Sequence, residues 1–334
     1  MKRIISLLLA LALSLSLAAC AAPAEKADGG KLQIVTTLFP YYDFARAIAQ
    51  DRADVTLLLS PGREAHSFEP TPLDAVTISE ADVFLYNGGE GEYWVESMLD
   101  AAGEHIAVAS RMMDYVDALN EEYVEGMQGA DGHDHDHEHG SHDDHDHDHE
   151  DEHDSDEIEY DEHIWTSPKN AVVLCRAVCD AICRADAENA AFYRANCENY
   201  CAQLEDLDAR FAALCESAPR RLLIFADRFP MLYFCREYGL DYRAAFHGCS
   251  GDTEPSLATI KFLIDKVEDE NIPVVYTIDF GTKKVAAVVS ECTGAAIETL
   301  YSMQTVSRAD FDAGETYLTL MERNFEALRK GLNE

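Results

Sequence analysis

The sequence predicts an α/β protein of two lobes, each a small parallel sheet flanked by helices, joined by a long rigid linking helix. Three observations point there. Short β-rich runs alternate with helical patterns on both sides of the chain's middle, and that alternation implies parallel sheets built from βαβ units. Between the two sets lies a stretch, 167–219, almost free of glycine and proline except at its ends. About three hundred residues remain after an N-terminal leader and tether, enough for two ordinary domains with cores of their own.

Taken in order, residues 1–20 (MKRIISLLLALALSLSLAAC) carry a charged start at Lys2 and Arg3 and an apolar run from Ile4 to Leu17. This is short for a membrane span and ends in small residues, as a secretory signal does. Leu17-Ala18-Ala19-Cys20 resembles the bacterial lipobox, so Cys20 is expected to receive lipid and anchor an exported chain to the outer face of the cytoplasmic membrane. Residues 21–31 read as a flexible tether. No later apolar run approaches the roughly 18 residues of a spanning helix.

The first lobe is assigned to 32–185, with strands at LQIVTT (32–37), DVTLLL (54–59), DVFLYN (82–87) and HIAVAS (105–110). It contains an insert at 131–162 rich in His and Asp. Ser167 and Pro168 make an N-cap and first-turn pair. The linking helix is placed at 186–218, where apolar residues recur at helical spacing for about eight turns. Strands of the second lobe, 219–334, are RLLIFAD (221–227), DYRAAF (241–246), PVVYTI (273–278) and AAIETL (295–300).

Formal net charge is −37, and seventeen of the acidic residues fall within 131–162, which holds no Lys or Arg. Such a surface argues against nucleic acid, whose phosphates demand basic side chains. Ten cysteines are present. Cys175, Cys179 and Cys183 fall at i, i+4, i+8, and Cys197 and Cys201 repeat the interval. That spacing lines one face of a helix and reads as a buried seam of small side chains; it lacks the C-x2-C knuckles of structural zinc sites. An exported protein also has the option of bridges, and the spacing does not choose among them.

Ligands in open α/β sheets gather beyond the carboxyl ends of the strands. Three residues sit there: His66 on the loop after DVTLLL, His163 just before a capped helix, and Asp227 at the end of RLLIFAD. Two imidazoles and a carboxylate suit a divalent transition metal. Each alone has a plainer reading, as a hydrogen-bonding loop histidine or a helix-capping aspartate.

The flanking residues sharpen this. PGREAHSFEPTP resembles the PPGxxPHxxEPTP segment of the metal-binding lipoproteins of bacterial ABC importers, the zinc/manganese solute-binding family. DEHIWTSPKNA is similar to that family's DPHxWLSPKNA, and YGLDYRAAFHGCSGDTEPSLATI and DAGETYLTLMERNFEAL look like its second-lobe turn and closing helix. The resemblance spans about 32–330. It implies two lobes, a rigid linking helix, and a metal held between the lobes for delivery to a permease and its ATPase. The family's first two histidines fall on His66 and His163. Its third position falls on Ala226, one step from Asp227, with His247 as substitute candidate. Its fourth falls near Gln304, and neither that amide nor Tyr301 is a strong ligand, which leaves three protein ligands plus water, or recruitment of His247.

The segment GHDHDHEHGSHDDHDHDHEDEH, 132–153, holds nine of the thirteen histidines. It has no apolar residue with which to order itself and offers many interchangeable ligands, so it is read as a collector of ions rather than the site. The expected function is therefore a non-enzymatic receptor for Zn2+, with Mn2+ as the alternative. Rival readings are an adhesin, a surface zinc buffer, or a metallohydrolase; the last lacks the H-E-x-x-H pattern that supplies a hydrolytic base.

Overall fold

The computed structural model describes residues 30–63, 68–103, 106–128, 159–250 and 254–333. The leader with Cys20, the loop residue His66 and the histidine-rich segment 132–153 lie outside them; 159–162, assigned from sequence to the insert, are described, and Asp161 and Glu162 are buried.

All eight expected strands form, in two parallel sheets of identical topology. The first holds β1 (Leu32–Thr36), β2 (Ala53–Leu57), β3 (Val83–Tyr86) and β4 (Val108–Arg111) in the order β2-β1-β3-β4. The second holds β5 (Leu222–Phe229), β6 (Asp241–His247), β7 (Val274–Ile278) and β8 (Ala296–Leu300) in the order β6-β5-β7-β8. Every pairing is parallel, as expected where helices cover both faces; β7, VVYTI, is buried along its whole length. In each sheet the order reverses between two central strands, β1/β3 and β5/β7, which opens a crevice at their carboxyl ends.

The crossover helices of the first sheet are α1 (Phe39–Ala49), α2 (Pro72–Ser79) and α3 (Val95–Ala102). Two long helices follow, α4 (Pro168–Ala185) and α5 (Ala190–Ser217). Helices α6 (Leu232–Tyr238), α7 (Leu257–Asp269) and α8 (Lys284–Thr293) cross over the second sheet, and α9 (Arg308–Ala313) and α10 (Tyr317–Asn333) close the chain. No helix of the described residues is long and apolar enough to cross a membrane.

The linking helix differs from expectation only at its start: Asp186 caps a short 3-10 turn, Ala187–Asn189, and the 28-residue α5 begins after it. Its buried residues Tyr193, Cys197, Tyr200, Leu204, Leu207, Phe211 and Leu214 alternate steps of four and three, so one apolar stripe runs its full length. That stripe belongs to a single core reaching from Phe44 and Phe84 of the first lobe to Tyr276 and Leu328 of the second. Buried Asp43 of α1 fastens this junction, accepting from Tyr200 Oη of α5 (2.6 Å) and from the Tyr317 backbone N–H at the start of α10 (3.0 Å). A smaller core lies beneath α7 and α8.

Candidate metal centre

The segment 161–167 connects to α4 and is buried throughout. Ser167 caps α4 by accepting from Asn170 N–H, and Pro168 opens the first turn without wasting a donor. One turn earlier, Thr166 donates to the His163 carbonyl through both its N–H and its hydroxyl. Trp165 Nε1 donates to Ser302 O of the second lobe (2.7 Å), and Tyr233 Oη to Asp161 O (2.8 Å). The histidine is thus held by backbone and by both lobes.

His163 is 2% exposed. Asp161 Oδ1 accepts from its backbone N–H at 2.7 Å and lies 3.1 Å from its Nδ1. An imidazole that donates from Nδ1 to a carboxylate carries its lone pair on Nε2, the arrangement in which histidine ligates metals. Burial disfavours the charged ring, yet the Asp161, Glu121 and Glu162 carboxylates together hold its pKa above the ordinary value. The ring also meets Gly248, where a Cβ would stand 3.1 Å from Nδ1. Glycine there lets the second lobe close on the imidazole.

Two cavities meet at this place, one at each crevice. A cavity of about 370 Å³ at the ends of β1 and β3 is lined by Thr37, Leu59, Asn87, Glu92, Trp94 and Gln304, among others. Three polar atoms of its lining, Thr37 Oγ1, Glu92 Oε1 and Trp94 Nε1, are buried without a hydrogen-bond partner. Burial drives Glu92 up to about 7. The second cavity, about 330 Å³ at the ends of β5 and β7, is lined by His163, Arg228, Gly248, Phe280, Ser302 and Gln304, among others. Gln304 belongs to both walls. The lobes are zipped beside it by Phe39 N–H donating to Gln304 O and Gly62 N–H to Val306 O.

Of the described residues singled out from sequence, His163 and Gln304 line the second cavity. Asp227 lies at an irregularity in β5 between Phe225 and Arg228, the kind of bulge that re-aims side chains at strand ends. Its carboxylate accepts from Arg228 N–H (2.9 Å), lies 3.4 Å from Ile278 N, and fills the space a Cβ on Gly281 would need. Arg228, the next residue, takes the place on the cavity wall. His247 sits on the far side, 3.7 Å from Glu121 Oε1 and packed on Tyr123, and Glu121 raises its pKa. Burial opposes ionisation of Glu121, but hydrogen bonds from the His247 and Cys249 side chains hold it down to about 2. Gln304 is 8% exposed, and Tyr301 is engaged at its hydroxyl by Arg323. Sequence reasoning missed Glu92, Glu121 and Arg228; Glu121 meets Cys249, 128 residues away, and nothing beside it in the chain signals that contact. Asp161 stands only two residues before His163, and its contact is local.

Comparison with known proteins places this geometry. The family model described as ZnuA, zinc-uptake complex component A periplasmic, matches residues 34–331. The high-affinity zinc uptake system protein ZnuA of Bacillus subtilis (strain 168) is 33% identical over 307 residues, covering 91% of this chain and 88% of that protein. The zinc-binding lipoprotein AdcA of Streptococcus pneumoniae R6 is 30% identical over 333 residues, and the chain spans 61% of its length. Among solved structures, the Zn(II)-bound ZnuA-like domain of Streptococcus pneumoniae AdcA superposes with a TM-score of 0.70 at 26% identity, covering 91% of this chain and all of that one. The metal-dependent lipoprotein YcdH of Bacillus subtilis superposes at 0.72 with 29% identity, covering 90% of this chain and all of that one. With a match from the first strand to the last helix, and the buried histidine at the junction of two like sheets, the chain belongs to the ZnuA family of zinc-uptake components.

Proposed function

We propose that this chain takes Zn2+ into the crevice between its two sheets, through His66 and His163, and hands it to the permease and ATPase of an ABC importer. The observation that carries the reading is His163: buried, oriented by Asp161, and set in a cavity walled by the strand ends of the second lobe. Neutral imidazole is a good zinc ligand, and the carboxylates around it draw cations in. The cargo leaves unchanged, so the protein is a carrier and not a catalyst.

Asp227 is the proposed second-lobe donor, ahead of His247. Its carboxylate borders Ile278 and Gly281, beside the cavity that His163 faces. His247 lies on the Asp161 side of His163, within the field of Glu121, Glu159 and Asp161, where it is better placed to hold a proton. The insert 132–153 is proposed as an ion collector and Cys20 as the lipid anchor that keeps the exported receptor at the membrane.

Zinc calorimetry on four variants tests this. His163→Ala is expected to lose the tight, single binding step, and Asp227→Ala to weaken it more than His247→Ala does. Deletion of 132–153 is expected to remove only weak, multiple binding. A deletion that abolishes the tight step would move the function to the insert, as a zinc buffer or adhesin requires.

A further inference from the structure

Away from the cleft, where α4 folds back along α5, cysteines of the two helices face each other. Cys175 and Cys179 come from α4, Cys197 and Cys201 from α5, and all are buried. The Sγ atoms of Cys197 and Cys201 are 3.8 Å apart, and those of Cys175, Cys197 and Cys201 all lie within 4.8 Å of one another. Cys179 adjoins Cys197. Four sulfurs around a tetrahedral zinc at about 2.3 Å stand about 3.8 Å apart. Packing explains small residues at this seam, and Ala177, Ala181 and Ala190 serve it as alanine. It does not explain three sulfurs converging on one point.

We propose that Cys175, Cys197 and Cys201, with Cys179 as fourth donor, form a second metal site for a thiophilic d10 cation, Zn2+ or Cu+, that clamps the helix hairpin. Binding exchanges protons for metal: at each of the four sulfurs an S–H bond breaks, an S–metal bond forms and a proton leaves to solvent, so a Zn2+ centre with four thiolates carries two negative charges. The Arg176 guanidinium, which pairs with Glu205 of α5, lies within the field of Cys201 and offsets part of that charge. Because the sulfurs are buried, the ion enters as the hairpin folds, and binding energy becomes folding energy.

The test is refolding of the full reduced chain with Co2+, read by the thiolate-to-cobalt charge-transfer band, which neither the imidazoles of the cleft nor those of the insert produce. The band is expected in the parent, in His163→Ala, in Cys249→Ala, and in Cys215→Ala, a buried thiol outside the cluster. It is expected to disappear in Cys175→Ala, Cys197→Ala and Cys201→Ala while the helical circular dichroism persists. Displacement by Zn2+ or by Cu+ at the lower excess identifies the ion. X-ray absorption of the metal-loaded parent asks the same question without a variant, through its shell of sulfur neighbours. No band in the reduced parent, a band lost with Cys249→Ala, or a Cys175–Cys197 or Cys175–Cys201 disulfide in the isolated protein would overturn the site.

Discussion

With His163 as the proposed zinc ligand, Asp161 is the residue on which zinc affinity and its pH dependence are expected to turn. It orients His163 and, with Glu121 and Glu162, raises its pKa. Asp161→Asn is expected to weaken zinc binding by roughly 10–100-fold at pH 8, the usual penalty for losing a ligand's supporting carboxylate. Protons compete with zinc for His163 once pH falls below its raised pKa, and the substitution lowers that pKa. The deficit of the variant should therefore shrink toward pH 6, in titrations of the loop-deleted protein; a constant deficit would leave Asp161 a purely steric role. Glu92 gives the second prediction. Its folded pKa of about 7 stands above the unfolded carboxylate value, so folding favours the protonated form. The cost of holding it charged appears as pH rises above the unfolded value and is complete above about 7. Glu92→Gln should accordingly raise the stability of zinc-free protein by on the order of 2 kcal/mol at pH 8 and little at pH 5, in urea melts. His163, also raised, adds in the same sense: its ion pair stabilises the zinc-free fold fully below the unfolded imidazole value and is lost as pH rises through the folded one.

At the level of elements, what the sequence disclosed follows from how each element is stabilised. Parallel strands buried on both faces are short apolar runs, and RLLIFAD or PVVYTI can hardly be anything else once helical patterns alternate with them. The irregularity in β5 was not legible, because its cause is the register of β6, which lies outside the strand's own residues. It sets where Asp227 and Arg228 point, so the second-lobe donors were the uncertain part of the site, whereas the helix cap made of Ser167 and Pro168 announced the position of His163. Long-range ties show the same limit: nothing near Asp43 in sequence signals that it receives Tyr200 and Tyr317. Burial raises the Asp43 pKa while these donors lower it. Asp43→Ala, which strands a buried hydroxyl and N–H, should destabilise the fold by about 3 kcal/mol, and Asp43→Asn, which keeps an acceptor, by clearly less. Equal losses in denaturant melts would mean the junction depends on charge rather than on hydrogen bonds.

The whole molecule is braced by α5, whose 28 residues make a rod of about 42 Å, and by a core that passes from one sheet to the other without a break. A receptor braced in this way is expected to keep its lobes close to one arrangement on losing its cargo, so that filled and empty forms differ little in outline. The importer must then tell them apart, if at all, by the few residues around the crevice. The empty receptor becomes a competitor for the transporter's docking face, so uptake depends on the filled fraction of the receptor pool and not on the filled amount alone. Adding His163→Ala protein to vesicles carrying the transporter and a fixed amount of loaded parent should slow zinc uptake in proportion to its share of the pool. Unchanged uptake would mean that the transporter senses occupancy before it docks. By the same reasoning, a cell that overproduces this protein when zinc is scarce reaches a point at which further copies hinder the import they were made to serve.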